Sequence, residues 1–251
     1  MKESNSKSAE QFVKELRSYQ SPEELEKHRR YFKFVPDDQS ADNYFIGVRM
    51  GQIFELAKEF IEMPSDEIEK LLESPIHEAR AGALSIMGKK ASHKKTTADE
   101  LKDLYDLYIR RHDRINNWDL VDLAAYHVVG RYLADKPRDI LYKLARSKDT
   151  WKRRTAIVST AHFIRQGEVD DTFKIAEILL KDDQDLVHKA TGWMLRFAGD
   201  KDRKKLLDFL DKYASSMPRS MLRASIEKLD AKQREHYLSK KSISEEAVKS
   251  T

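Results

Sequence analysis

Apolar residues recur at helical spacing along most of the chain. In "VRMGQIFELAKEFI", "ELKDLYDLYI", "TFKIAEILL" and "DRKKLLDFLDKY" the i, i+3, i+4 and i+7 positions are filled, which gives each segment one apolar stripe and predicts an amphipathic helix. Alternation with a period of two, the mark of a half-buried strand, is nearly absent. Punctuation falls between the periodic stretches, at Ser21-Pro22, "MPSDE" (63–67), "ESP" (73–75), "KP" (136–137) and "MP" (217–218). Several of these place Ser or Asp just ahead of acids in a first helical turn, the chemistry that caps a helix N-terminus.

A longer period lies over the helical one. "ARAGALSIMG", "RRTAIVSTA", "HKATGWMLR" and "LRASIEKL" share a basic residue, then small residues, then an aliphatic stripe, anchored at Arg80, Arg154, Lys189 and Arg223. The last two steps are 35 and 34 residues and the first is 74, which leaves room for one more copy near residue 117. A period in the mid-thirties with two helices per unit predicts a solenoid, because each hairpin can bury its apolar face only against its neighbours. The expected fold is all-α: a HEAT-like α-α superhelix of stacked helical hairpins with a concave basic groove. The small residues Ala81, Gly82, Ala156, Ala190, Gly192 and Ala224 let the layers approach closely.

Composition narrows the chemistry. With 251 residues, 40% hydrophobic and 36% charged, the chain can bury a sizeable core under an ionic surface. Gly 8 and Pro 6 are too few for a sandwich or barrel of short strands, and Cys 0 excludes disulfides, thiolate nucleophiles and thiolate zinc sites. The start "MKESNSKSAEQF" lacks the apolar region of a secretory signal, and no run approaches the roughly 18 apolar residues of a membrane helix, so a cytoplasmic, soluble protein is expected. Residues 1–9 read as a flexible start, 10–240 as one repeat domain and 241–251 as a disordered tail. The net charge of +4 permits a polyanionic partner without demanding one.

Distribution of charge is more telling than its sum. Equivalent positions of successive second helices line one side of a solenoid, so Arg80, Arg154, Lys189 and Arg223 are expected to form a row. Phosphate contact and a structural ladder of bonds between repeats both explain such a row. Residues 143–165 sharpen the bias, with Lys143, Arg146, Lys148, Lys152, Arg153, Arg154 and Arg165 against Asp149 alone. The copy near residue 117, "NNWDLVDLAAYH", interrupts it. Trp118 and Asp122 are four apart and share a helix face, while Val121, Ala124 and Val128 mark the buried stripe beside it. A carboxylate there would repel phosphate unless it meets a cation. A core tryptophan and a salt bridge from Asp122 to Arg154 are the bland alternative. Asp119, early in the helix, suits the positive helix end.

"NNWDLVD", "WKRRTAI" and "ATGWMLR", in this order and spacing, resemble the AlkD-like DNA alkylation-repair glycosylases, which are HEAT-like repeat proteins. "RYFK" (30–33), "FIGVR" (45–49), "HEARAGAL" (77–84) and "MPRSMLRASIEKL" (217–229) fit the same family, so the similarity spans about residues 10–230. The resemblance implies excision of N3- or N7-alkylated purines from duplex DNA. It implies that Trp118 and Asp122 are catalytic, that Arg154 grips phosphate, that Trp193 is a second lesion-side tryptophan and Tyr31 a third aromatic contact; Lys152, Arg153 and Lys189 are further phosphate candidates. The chain departs from many relatives at Asn117, where they carry a second Trp, at Tyr126, where they carry Pro, and after "GVR", where it lacks their Pro.

No cofactor is expected. The 8 histidines show no HxxxH or HExxH spacing, so His112, His127, His162 and His188 read as surface or interhelical residues, not as metal ligands. Phe12, Phe54, Phe163 and Phe209 fall on apolar stripes and read as core. The expected partner is duplex DNA carrying alkylated bases, with no membrane and no obligate protein partner, for a monomer. The competing reading is a noncatalytic HEAT-like scaffold that binds DNA or an acidic protein.

Overall fold

The computed structural model describes residues 7–32 and 44–240. The expected tail and most of the expected flexible start, together with residues 33–43, lie outside the described residues. Helices dominate the described structure, and the extended pairing among these residues is a lone parallel bridge between Tyr44 and Ile76. The chain forms two compact units, Met1–Tyr132 and Leu133–Thr251.

The first unit contains α1 (Ala9–Ser18), α2 (Pro22–Phe32), α3 (Met50–Glu59), α4 (Ser65–Glu73), α5 (His77–Ser92), α6 (Ala98–Arg110) and α7 (Trp118–Ala124). A short 3-10 turn (His112–Arg114) precedes α7, and a π-helical turn (Tyr126–Gly130) follows it. The outer helices keep the predicted stripe: α4 buries Ile68, Leu71 and Leu72 and leaves Asp66 and Glu73 exposed. Helix α5 is different. It packs against α3, α4 and α7 and buries most of its residues, including the charged Glu78 and Arg80. Its alanines and glycines make this possible: a Cβ on Gly82 would enter the ring of Phe12, and one on Gly88 would lie 2.7 Å from the Leu123 carbonyl oxygen. Phe12 meets Phe60 edge-on at 5.2 Å, and both are fully buried.

The second unit contains α8 (Asp139–Ala145), α9 (Thr150–Ser159), α10 (Ala161–Arg165), α11 (Asp170–Leu179), α12 (Asp185–Lys201), α13 (Arg203–Tyr213), α14 (Arg219–Ser225) and α15 (Ala231–Ser239). Asp149 caps α9 by accepting the N–H groups of Trp151 and Lys152 at 2.8 and 3.3 Å. The core around α12 to α14 gathers Leu195, Phe209, Leu210, Met217, Met221 and Leu222. The basic anchors of the sequence period fall on the second helices of their pairs, Arg80 on α5, Arg154 on α9, Lys189 on α12 and Arg223 on α14, and residue 117 caps α7. No helix among the described residues is long and apolar enough to cross a membrane.

Candidate functional site

Asn117, the departure from the family pattern, caps the helix that carries the candidate catalytic pair. Its side-chain oxygen accepts the N–H of Trp118 at 2.8 Å, which fixes where α7 begins. Trp118 and Asp122 then fall one turn apart, both half-buried, while Val121 and Ala124 are fully buried on the neighbouring stripe. The Trp118 indole stacks on Phe32 at 5.9 Å with 24° between planes. Behind it runs an aromatic row in which Phe32 leans on Phe45 at 4.9 Å and Phe45 stacks on His77 at 4.1 Å. Neither Trp118 nor Asp122 is sealed in the interior.

Asp119 does more than favour a helix end. It is 5% exposed, and its Oδ2 lies 2.7 Å from His77 Nε2, a buried pair that ties α7 to α5. The residue after His77 works on the loop that precedes α3. Glu78 accepts N–H bonds from Ile46 (3.1 Å), Gly47 (2.9 Å) and Val48 (3.3 Å), with His28 Nδ1 at 3.5 Å. Burial pushes the Glu78 carboxyl up, but His28 and the backbone donors outweigh it and hold it below the usual carboxylate range. Gly47 permits the wrap, since its φ is 78° and a Cβ there would stand 2.7 Å from the Leu25 nitrogen.

Arg80 departs from the expected exposed row. It is fully buried, and burial together with Arg114 lowers its guanidinium to about 10, opposed by Asp119 and Glu78. The same position that opens the later repeats is here walled in by α3, α4 and α7.

Asp122 opens onto a cavity of about 420 Å³ lined also by Phe54, Ser85, Gly88, Lys89, Ser92, Leu123 and His127. Phe54, expected in the core, is instead half-buried on this wall, with Lys89 Nζ 5.7 Å from its ring centroid. Phe12, Phe163 and Phe209 are buried as expected. His127 reaches across to α5, its Nδ1 2.6 Å from Ser92 Oγ. His188 Nε2 lies 2.5 Å from the Asp182 carbonyl and His162 beside Gln166, so these three rings make protein contacts. Among the described residues no group of three or more His, Asp or Glu is arranged to hold a metal ion.

In the second unit Arg153, Arg154 and Lys189 have partners. Arg154 is 5% exposed and donates to the Leu186 carbonyl, bridging α9 to the first turn of α12. Arg153 clasps Asp182 at 2.5 and 3.1 Å and donates to the carbonyls of Ser147 and Lys148. Lys152 is half-buried, and Lys189 is exposed in an i,i+4 pair with Asp185 at 2.7 Å. Trp193, one turn beyond Lys189, is half-buried with Phe197 edge-on at 5.9 Å. Tyr31 lies on α2, but its side chain is outside the described residues. Sequence reasoning missed Phe32, Phe45, His77, Glu78, Ser92 and the use made of His127. "HE" at a helix start, followed by small residues, was the available signal for the buried pair.

The model of the family described as DNA alkylation repair enzyme matches residues 12–229. No curated protein matches the chain. Among solved structures it is similar to a "Predicted DNA alkylation repair enzyme from Enterococcus faecalis", with a TM-score of 0.63 and 16% sequence identity over 84% of this chain and 97% of that one, a likeness of fold. With Trp118, Asp122, Arg154 and Trp193 all inside the matched span, the chain belongs to the DNA alkylation repair enzyme family.

Proposed function

We propose that the protein is a DNA N-glycosylase that hydrolyses the bond between deoxyribose and a cationic N3- or N7-alkylated purine in duplex DNA. The observation that carries this reading is a half-buried carboxylate, Asp122, opening onto a solvent-reachable cavity one helical turn from the indole of Trp118. An alkylated purine of this kind already carries positive charge and leaves without a general acid, so one carboxylate suffices where glycoside hydrolysis uses two. As the bond breaks, positive charge moves to the sugar, and Asp122 stabilises it. Trp118 favours that cation through its ring face, worth about 0.5–2 kcal/mol, and Trp193 is assigned an aromatic contact with the DNA. Lys152 and Lys189 supply sequence-independent attraction to phosphate. Arg153 and Arg154 join them only by giving up the internal acceptors they now hold. No resident cofactor enters this scheme.

The test is incubation with methylated duplex DNA and identification of the free bases. Release of 3-methyladenine or 7-methylguanine is expected, and Asp122→Asn should lower it by about 10²-fold or more while duplex binding stays the same or tightens. A wild-type protein that binds the duplex and releases nothing leaves the noncatalytic scaffold as the function.

A further inference from the structure

The glycosylase reading gives Asp122 two conflicting tasks. It must stay anionic while the sugar is cationic, and a proton must leave the attacking water. The cavity holds a second acceptor.

His127 stands on the π turn, where Gly130 N–H reaches back five residues to the Ala125 carbonyl at 2.9 Å. A π turn takes about one more residue than an α turn, so the side chains that follow lag behind α-helical phase. His127 thereby lines the same cavity as Asp122, five positions earlier. Its tautomer follows from its neighbour. Ser92 Oγ donates its one proton to the Gly88 carbonyl at 2.8 Å, so across the 2.6 Å contact it accepts from His127 Nδ1–H. The basic lone pair of the neutral ring is therefore on Nε2. A cavity of about 420 Å³ holds several waters, at about 30 Å³ each.

We propose, resting on that reading, that His127 is the proton acceptor for the attacking water and that Asp122 remains a carboxylate throughout. The bond between C1′ and the purine nitrogen breaks with its electron pair passing to the purine, which leaves neutral. Water oxygen bonds to C1′, and the water proton passes to His127 Nε2. The resulting imidazolium keeps its Nδ1–H bond to Ser92 and sits on the cavity wall with the Asp122 anion, until solvent takes the proton. The charged and titratable groups around this ring are Asp122 and Lys89 in the cavity and Tyr126, edge-on at 4.3 Å; α6, which also packs on the π turn, brings Tyr105 onto Tyr132 there.

The experiment is single-turnover base release from methylated duplex at saturating protein between pH 5 and about 8.5, for wild type, Asp122→Asn, His127→Ala, His127→Gln and Ser92→Ala. His127→Ala is expected to slow release by about 10²-fold with unchanged duplex affinity. It should also flatten the acid limb of the wild-type pH–rate profile, since the variant has no imidazole to protonate. His127→Gln, close in shape and unable to take a proton, should not rescue, and Ser92→Ala should cost several-fold. Thermal melts check that each variant folds, and Gln or Ser92→Ala carries the test if Ala does not. Wild-type rates and pH profile in the folded His127 variants, with Asp122→Asn inactive, overturn this inference alone. A wild type that releases no base overturns the glycosylase reading beneath it.

Discussion

Helices α5 and α12 are the long second members of their pairs, and each carries about one turn in a basic residue followed by small ones, Arg80 and Lys189, yet they treat charge in opposite ways. Helix α5 takes His77, Glu78 and Arg80 out of water; α12 buries Val187, Ala190, Thr191, Gly192, Met194 and Leu195 and leaves Lys189 exposed with Trp193 half-buried beside it. A buried charge survives only if its neighbours satisfy it, and those of Glu78 and His77 do: three backbone N–H groups and His28 on Glu78, Asp119 on His77. The ions of α5 are therefore committed to architecture, holding the 45–48 loop and α7 in place. The exposed face of α12 keeps a cation whose acidic neighbour Asp185 is also exposed, a pair that a phosphate can replace at small cost.

This contrast can be broken by substitution. Glu78→Ala removes the acceptor from three loop N–H groups, and a loss of about 3 kcal/mol or more in unfolding free energy is expected from denaturant titration. Because the folded-state carboxyl lies below its ordinary value of 4.5, its stabilisation is complete above that pH and fades as pH falls through the folded-state value. Acid titration of Glu78→Gln should show a shallower loss of stability below about 4.5 than wild type. Arg154→Ala, which deletes a buried donor to the Leu186 carbonyl, should cost about 1–3 kcal/mol. If it also lowers affinity for every duplex alike and reduces the salt slope by about one, the guanidinium reaches phosphate as well. Lys189→Ala should leave stability within about 0.5 kcal/mol while reducing that slope by about one. Equal stability losses for Glu78→Ala and Lys189→Ala would erase the distinction between the two helices.

Helix positions were legible because each outer helix has an apolar stripe and a polar face, as α4 does with Ile68, Leu71 and Leu72. The period placed Arg80 on its helix but not on a face, since "HEARAGAL" is small on every side and lets neighbours close around it. Asp122 and Trp118 could be put on one face by spacing alone. The partnership of His77 with Asp119 spans 42 residues, and Glu78 reaches a loop some 30 residues earlier, so neither leaves a local pattern. Phe54 looked like core because its stripe is apolar, and only the packing around α5 shows that one edge of the stripe borders a cavity.

The widened turn at 126–130 has a cost that reaches past His127. Val128, Val129 and Gly130 are buried in the phase the extra residue sets. Removing one residue between Asp122 and Val128 would restore regular winding and leave the helix beyond nearly in phase, but it would change the spacing from Asp122 to the imidazole. A change of length in this stretch can therefore spare the packing behind it, but it cannot spare the spacing from carboxylate to imidazole.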